Sequence, residues 1–242
     1  MHGVLALREI SKSFGGNQAL QRLSLDVHVG QIQGLIGPNG AGKTTVLNIA
    51  TGVYKPDAGQ VLVNGHDVTS LRPYERSRLG LSRTFQGGRP FGQLTARENI
   101  QIAIEQRQKI ERAGRFEPSP VQNADALLDE IGLLGEAELL AKSLPYGKQK
   151  QLEIARAIAY ATSVMLLDEP TSGLSLEEID LVLSVVAKYR SKLAILLVEH
   201  NMDVVMAVCN QIVVIDAGCW IAAGEPKEIQ VNPQVVNAYL GT

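Results

Sequence analysis

A glycine-rich loop between an apolar segment and a helix-like segment restricts the fold of this chain more than any other feature. The loop reads Gly37-Pro38-Asn39-Gly40-Ala41-Gly42-Lys43-Thr44-Thr45 and follows an apolar run that ends at Ile36. It fits the spacing G-x-x-x-x-G-K-[ST], which holds nucleotide phosphates when a strand precedes it and a helix follows it. We therefore predict a strand before the loop and a helix from about Val46. The alternative, a polar turn without a ligand, fits less well because both flanking segments are present.

Each type of residue in this loop has a physical role. Glycine reaches positive φ and lets the backbone approach an anion without a Cβ in the way. Successive N–H groups then point inward, and the positive end of the following helix adds to their field. Lys43 supplies a charge for the β and γ phosphates of a nucleotide, and the Thr44 hydroxyl can be a ligand for the accompanying Mg²⁺. Residues 37–45 are thus the predicted phosphate site.

Composition argues against several classes of protein. The 242 residues suffice for one large domain, or for one domain that carries an insert. A net charge of −2 and a pI of about 6.1 provide no general basis for binding nucleic acid. Cys209 and Cys219 form no disulfide framework, which is typical of a reducing compartment. The start of the chain has no signal-peptide pattern, and no apolar run approaches the ~20 residues of a membrane helix. We expect a cytoplasmic protein that reaches the membrane only through a partner.

Apolar periodicity predicts two kinds of sheet. The alternating segments, which favour a small antiparallel sheet, are Val4 to Ile10, Leu23 to Val29 and Gly59 to Gly65. The continuous apolar segments, which favour strands buried on both faces of a parallel sheet, are Val164 to Leu167 and Ala194 to Val198. Helical patterns alternate with the continuous strands, so the sequence predicts an α/β fold with a mostly parallel sheet.

The middle third of the chain has a helical pattern. Its predicted helices are Gln93 to Arg112, Asn123 to Ile131 and Lys148 to Ala161. No strand pattern of comparable strength interrupts them. We therefore predict one domain over residues 1–242, with a helical subdomain inserted at residues 87–160.

Two acids follow the apolar strand that ends at Leu167. Asp168 can hold Mg²⁺ next to Thr44, and Glu169 can then orient or deprotonate the water that attacks the γ phosphate. A surface helix cap is the alternative interpretation. It fits less well, because a buried strand that delivers two carboxylates would be costly without a cation to meet them.

Three further residues are open to two interpretations each. His200 also ends an apolar strand, where it is either a hydrogen-bond donor to the γ phosphate or a satisfied core histidine. Gln86 follows the strand-like Leu79 to Phe85 and suits a sensor of the γ phosphate or Mg²⁺ between the two subdomains. Phe14, in a predicted loop from Ser11 to Gly16, either stacks on a base or fills the core.

The order of these motifs resembles the ATP-binding subunit of an ABC transporter over nearly the whole chain. The resemblance implies a P-loop NTPase core with a flanking antiparallel β-subdomain and an inserted helical subdomain. It also implies the following roles: Phe14 stacks on adenine, Gln86 is the Q-loop residue, Asp168 is the magnesium-associated acid, Glu169 is the catalytic base and His200 is the switch histidine.

The same resemblance implies a second ATP-binding subunit. In this family two subunits dimerise head to tail, and each ATP lies between the phosphate loop of one and the signature motif of the other. The signature here is Leu144-Pro145-Tyr146-Gly147-Lys148-Gln149-Lys150, where the common form is LSGGQQR. Pro145 replaces a serine and donates neither O–H nor N–H, so Gly147, the following amides and Lys148 are the expected anion contacts. Ser175 stands where the family usually has aspartate.

A finer resemblance is to subunits that energise the uptake of branched-chain amino acids. It is carried by Ser82 to Gln86, by Val198 to Met202 and by the tail from Gly224 to Gly241. It implies separate membrane permease subunits, an indirect connection to a substrate-binding protein, and a place on the cytoplasmic face of the membrane. Uptake of urea or short amides is an alternative. So are a soluble ATPase switch that acts on nucleic acid or ribosomes, and a non-hydrolysing partner in a heterodimer.

Overall fold

The computed structural model describes residues 4–84, 89–112, 121 and 123–240. The strands in that part of the chain are β1 (Leu5–Phe14), β2 (Asn17–Val27), β3 (Ile32–Ile36), β4 (Ala58–Val63), β5 (His66–Asp67), β6 (Leu81–Arg83), β7 (Val164–Asp168), β8 (Ala194–Val198), β9 (Gln211–Asp216) and β10 (Cys219–Gly224). The α-helices are α1 (Lys43–Ala50), α2 (Pro73–Ser77), α3 (Ala96–Glu111), α4 (Ala124–Glu130), α5 (Tyr146–Tyr160), α6 (Leu176–Tyr189), α7 (Met202–Val208), α8 (Pro226–Gln230) and α9 (Pro233–Leu240).

The first sheet is antiparallel and has the strand order β2-β1-β4-β5. Leu5 of β1 lies opposite Val27 of β2 and Val63 of β4, and all three side chains are buried. Arg8 and Asp26, also on β1 and β2, form an ion pair of 2.7 Å. The predicted small antiparallel sheet is confirmed. The two-residue strand β5 was not predicted, because it is too short to show an alternating pattern.

The second sheet has the order β10-β9-β3-β8-β7-β6. Its strands are parallel except for β10, which pairs antiparallel with β9 at one edge. Every residue of β3, β7 and β8 is buried, as the continuous apolar runs predict. The carboxyl ends of these three strands lie at one edge of the sheet, and they deliver Gly37, Asp168 and Glu199 there.

The parallel sheet separates two hydrophobic clusters. Leu35 and Leu166 belong to the cluster that includes β1, β2, β4 and α1. Their sequence neighbours Ile36 and Leu167 belong to the other cluster, which includes residues of α3 to α7. Because successive strand residues face opposite sides, the fold has three layers: the antiparallel sheet with α1, the parallel sheet, and the remaining large helices.

The chain between β6 and β7 provides α3, α4 and α5, with 3-10 turns at Leu134–Glu136 and Ala141–Ser143. Thr95 begins α3 through a capping box: its hydroxyl accepts from the Glu98 N–H, and the Glu98 carboxylate accepts from the Thr95 N–H. The three predicted helices are confirmed to within a few residues at each end. The division of the chain at residues 87–160 stays a prediction.

One local prediction was wrong, and one helix was not predicted. Strand β1 runs past Ile10 to Phe14, and Phe14 pairs with Asn17 across a turn at Gly15-Gly16. The predicted loop from Ser11 is therefore mostly strand. Register shifts along β1 break the strict alternation from which a strand is recognised. The helix α2 was also not predicted, because five residues carry too little periodicity.

The tail docks on the domain as short helices. Ile229 of α8 and Val235 of α9 are buried and belong to the helical cluster. None of the helices in the described part of the chain has the length and apolar character that crossing a membrane requires.

Candidate nucleotide site

The loop after β3 has backbone contacts that glycine alone permits at two positions. A Cβ on Gly37 would overlap the carbonyl oxygen of Ile215 in the neighbouring strand β9. Gly42 has a φ of 106°, and a Cβ there would lie 2.7 Å from the Ala19 carbonyl oxygen. Gly42 also precedes α1 directly, so the first helical N–H groups are presented at the end of the loop. The predicted strand, loop and helix are confirmed.

Lys43 extends back into the loop that it follows. Its Nζ donates hydrogen bonds to the carbonyl oxygens of Gly37, at 2.6 Å, and Pro38, at 2.9 Å. Burial lowers the pKa of Lys43, and the nearby charges of Glu169 and Asp168 partly oppose that effect. The ammonium group is thus held inside the loop, with both acids within electrostatic range.

The loop opens into a pocket of about 650 Å³. Its lining includes residues 39–45 from the loop, Glu169 from the end of β7, and Asn17, Gln18, Ala19 and Gln21 from β2. The structure therefore brings Lys43, Thr44 and Glu169 to a single cavity, although more than 120 positions separate the loop from the acid.

Asp168 is the buried last residue of β7, and its carboxylate pairs with an arginine. Its Oδ2 accepts from Nη2 of Arg83 at 2.9 Å, and both side chains are almost fully buried. Arg83 also donates to Oδ1 of Asn48 on α1, at 2.7 Å. This guanidinium therefore connects the helix after the loop with the acid at the strand end. In the sequence, Arg83 stands out only as part of the segment from Ser82 to Gln86, so this role was not predicted.

Glu169 lies just past β7 in a strained backbone conformation. Its φ is +46°, an uncommon value for a residue with a side chain. The Glu169 N–H donates to the carbonyl oxygen of Val198 at 2.9 Å, which ties the turn to the end of β8. Its Oε1 lies 3.6 Å from Nδ1 of His200, whose side chain is about half exposed. The base and the histidine predicted from sequence are thus neighbours.

Glu199 is a fully buried carboxylate beside this pair, and sequence analysis gave it no role. Its Oε1 accepts from the Thr171 N–H at 3.0 Å and from the Thr171 hydroxyl at 2.7 Å. Its Oε2 accepts from the His200 N–H at 3.2 Å. The signal that could have found it is an acid next to His200 at the end of a continuous apolar strand.

The signature segment lies at the start of α5, where Pro145 is the N-cap and has no side-chain cap bond. Gly147 packs against the Glu178 carboxylate, which a Cβ at position 147 would overlap. Lys148 forms an ion pair with Glu136 of the same chain. Ser175, in place of the usual aspartate, caps α6, because its hydroxyl accepts from the Glu178 N–H.

The predicted roles of Phe14 and Gln86 stay predictions. Phe14 is about two-fifths exposed and packs edge-on against Tyr54, with ring centroids 5.1 Å apart. It does not line the pocket, and its adenine contact stays a prediction. Gln86 lies outside the residues that the structure describes, so its sensor role also stays a prediction.

Strand β3 leads into a glycine-rich loop with its lysine, and β7 of the same parallel sheet leads into an acid pair. These features define a P-loop nucleoside triphosphatase. Comparison with family models then places the protein more closely. The ABC transporter model matches residues 20–172, and a model of branched-chain amino acid ATP-binding cassette transporters matches residues 221–242. The chain belongs to the ABC transporter family, and it is an ATPase subunit of that family.

Similar proteins extend this result over the full chain. The high-affinity branched-chain amino acid transport ATP-binding protein BraF of Pseudomonas aeruginosa is 37% identical over 249 residues, with 98% of each chain covered. The corresponding LivG protein of Escherichia coli is 36% identical, also with 98% of each chain covered. A solved ATP-binding cassette of an ABC transporter in its ADP conformation has a TM-score of 0.84 at 28% identity, with 100% of both chains covered. A nucleotide-free cassette has a TM-score of 0.83 at 28% identity, with 99% of both chains covered.

Proposed function

We propose that this chain is the ATP-hydrolysing subunit of an importer for branched-chain amino acids. The observation that carries the catalytic part is the single cavity lined by Lys43, Thr44 and Glu169. The named transport proteins of Pseudomonas aeruginosa and Escherichia coli support the transported substrate, and so does the match of the tail over residues 221–242. In this proposal the chain serves from the cytoplasmic face of the membrane.

ATP fits the cavity with its phosphates toward the loop. The N–H groups of residues 39–45 and the ammonium of Lys43 are the donors that a chain of phosphate oxygens requires. Lys43 is preorganised for this contact, because it is already held within the loop by two carbonyl oxygens. We assign the adenine to the exposed side of Phe14, at the end of β1.

The residues present also suit Mg²⁺. In the described part of the chain, no group of three or more His, Cys, Asp or Glu side chains can hold a metal on its own. In this proposal the ion is bound mainly through the phosphates of its substrate, with Thr44, Asp168 and Gln86 as the protein ligands, directly or through water. When bound, Mg²⁺ neutralises charge that develops on the phosphate oxygens.

Glu169 acts as the general base in hydrolysis. It accepts a proton from water while the water oxygen attacks the γ phosphorus, and the bond to the β–γ bridging oxygen breaks to give ADP and phosphate. His200 lies 3.6 Å from the same carboxylate, and in this proposal it donates a hydrogen bond to the γ phosphate.

A second ATP-binding subunit completes the site. The start of α5 carries N–H groups with no intrahelical acceptor, and these can meet the γ phosphate held by another subunit's loop. Gly147 permits the close approach. Because the Lys148 amine is already paired with Glu136, we expect its contribution to that contact to be small.

The permease subunits dock, in this proposal, on an apolar groove of about 550 Å³ beside β6. The groove includes Val53, Tyr74, Leu81, Phe91 and Tyr160, with Arg89 and Arg156 also in its lining. Tyr74 and Phe91 expose about half of their surface, and the Arg156 guanidinium lies 4.2 Å from the Phe91 ring centroid. This surface suits a permease segment that combines an apolar face with acidic residues. Arg83, the partner of Asp168, also lines it, so the groove borders the nucleotide site.

The first test replaces the proposed base. Glu169→Gln keeps the shape of the side chain but cannot accept a proton, so we expect turnover to fall by more than about 100-fold while ATP binding is retained. Single-turnover hydrolysis and equilibrium binding of ATP with Mg²⁺ measure the two effects. Glu177→Gln, at an exposed position of α6, is the matched control. Hydrolysis at the wild-type rate by Glu169→Gln would remove Glu169 from the mechanism.

The second test concerns the permease and its substrate. Membranes are solubilised in mild detergent, and the companions of the chain are identified by mass spectrometry. We expect two permeases of a branched-chain amino acid importer. Tyr74→Ser, in the groove, should recover less of them than the control Trp220→Ser, which is matched because both aromatic residues are 53% exposed. Basal ATPase activity should be unchanged in both variants. Recovery of urea or amide permeases would contradict the assigned substrate, and equal recovery with both variants would contradict the groove.

A further inference from the structure

Glu199 combines complete burial with bonds to two separate parts of the catalytic edge. It follows β8, and its side chain has no exposed surface. One carboxylate oxygen accepts two hydrogen bonds from Thr171, and the other accepts one from the His200 N–H. Thr171 follows the catalytic base by two residues, and it is buried as well. One side chain therefore connects the turn that carries the base with the segment that carries the histidine.

Burial of a carboxylate at this position has a desolvation cost, which its hydrogen bonds must offset. Within residues 4–84, 89–112, 121 and 123–240, no lysine or arginine nitrogen lies within 4.0 Å of Glu199. The one cationic candidate at that distance is Nδ1 of His200, at 3.9 Å. Three donated hydrogen bonds thus provide most of the local compensation for its burial. An apolar side chain would fill the space without this penalty, but it would hold neither neighbour.

The turn held by Glu199 is the strained one. Glu169 has a φ of +46°, and such a conformation persists only when the surrounding structure fixes it. Two consecutive residues at the end of β8 receive the bonds of this turn: Val198 accepts from the Glu169 N–H, and Glu199 accepts from Thr171. The Glu169 side chain then lies 3.6 Å from Nδ1 of His200. The backbone N–H of His200 donates to Glu199.

We infer that Glu199 is a positioning residue for hydrolysis, which holds Glu169 and His200 in a fixed relation through Thr171 and the His200 backbone. This inference rests on the proposed role of Glu169 as the base. A carboxylate is required because it accepts at both ends. Glutamine has one acceptor and one donor end, so its NH₂ group would face either the two donors of Thr171 or the N–H of His200. Aspartate is shorter by one methylene group and cannot span the same distance without a shift of the backbone.

The test separates positioning from simple stability by measuring kcat and KM for ATP in a set of matched variants. Glu199→Gln should lower kcat by about 10-fold or more with KM changed less than about 2-fold, since a small displacement of a catalytic group affects chemistry more than binding. Thr171→Val should lower kcat by about 3- to 10-fold, because it removes the hydroxyl and keeps the shape. Thr171→Ser should restore most of the rate.

Thr162→Val is the control for the loss of a buried hydroxyl. The Thr162 Oγ1 has no hydrogen-bond partner among the described residues, so this variant should hydrolyse ATP at the wild-type rate. Thermal unfolding is recorded for every variant, and kinetics are compared well below the melting temperatures. Wild-type kcat in both Glu199→Gln and Thr171→Val would overturn the positioning role. The positioning role would also be overturned if Thr162→Val lost as much kcat as Thr171→Val, or if Thr171→Ser had a kcat as low as that of Thr171→Val.

The activities of the wild-type chain and of Glu169→Gln distinguish failure of the positioning role from failure of the proposed catalytic function. One case is that the wild-type chain with its partner subunits hydrolyses ATP, Glu169→Gln does not, and the Glu199 and Thr171 variants have the wild-type kcat. The positioning role alone is then wrong. If Glu169→Gln also retains full activity, or the wild-type chain does not hydrolyse ATP, the proposed catalytic function fails and the role of Glu199 fails with it.

Discussion

The nucleotide loop (residues 37–45) and the signature segment (residues 144–150) each continue into the first residues of a helix, but different contacts hold them in place. The nucleotide loop is fixed by backbone: Gly37 lies against the Ile215 carbonyl, and the buried Lys43 is bonded to two carbonyl oxygens of the loop. The signature segment is fixed by side chains. Lys148 pairs with Glu136, and Gly147 lies against the Glu178 carboxylate.

This difference shows which half of the proposed site a single chain can complete. Backbone contacts within a sheet hold the nucleotide loop in shape whether or not ATP is present. The side chains around the signature segment already have partners, since Lys148 pairs with Glu136. A bound phosphate would also have to displace the Glu178 carboxylate from its place beside Gly147. We therefore expect substitutions in the nucleotide loop to have large effects in the isolated chain, and substitutions in the signature segment to have small ones.

The largest expected effect is that of Lys43→Ala. Removal of the ammonium should weaken ATP binding by roughly 10- to 100-fold, because hydrogen bonds to charged groups contribute about 1.5–3 kcal/mol each. Equilibrium titration with ATP and Mg²⁺ measures the loss, and Lys43→Arg shows whether charge alone suffices. An affinity within a factor of two of the wild type would mean that the phosphates do not reach Lys43.

Sequence alone predicted the parts of the site that depend on local pattern. Each of these parts lies at the end of a strand that could be recognised from its apolar run: the nucleotide loop, the acids Asp168 and Glu169, and His200. The parallel arrangement of those strands then placed them at one edge of the sheet. This reasoning required no knowledge of which side chains touch.

The buried polar contacts could not be predicted in this way. Arg83, Glu199 and Arg76 are charged residues that would usually be exposed. Arg76 is instead buried against the end of α1, where it donates to the carbonyl oxygens of Ile49 and Ala50, and burial lowers its pKa to about 10. Their partners are distant in sequence and become neighbours only after the elements pack. The predicted loop around Phe14 was wrong for a different reason, because register shifts along β1 hid the end of the strand.

A second prediction compares two glycines. Gly37→Ala should destabilise the fold by about 3 kcal/mol, because the added Cβ meets the backbone oxygen of Ile215, which cannot rotate away. For a chain of this length, the melting temperature should fall by roughly 6–12 °C.

Gly147→Ala should be much milder, with a melting temperature within about 2 °C of the wild type. Its Cβ meets the end of the Glu178 side chain, which can move aside, and alanine favours the helix. Thermal unfolding of both variants without nucleotide measures the contrast. Equal losses of stability would show that the signature segment is as rigid as the nucleotide loop.

The smallest expected effect is that of Lys148→Ala. Since the Lys148 amine is paired with Glu136 and its side chain is about one-third exposed, its removal should change ATP affinity and turnover by less than about 2-fold. Steady-state hydrolysis is measured with the complete transporter, because a contact with the γ phosphate of another subunit exists only there. Glu136→Gln frees the lysine without removing it and serves as the matched variant. A loss of more than about 10-fold in Lys148→Ala, together with a gain in Glu136→Gln, would show that Lys148 leaves Glu136 for the phosphate. The signature segment would then use a charge from its own side chain as the nucleotide loop does, and the contrast between the two regions would be limited to the state without ATP.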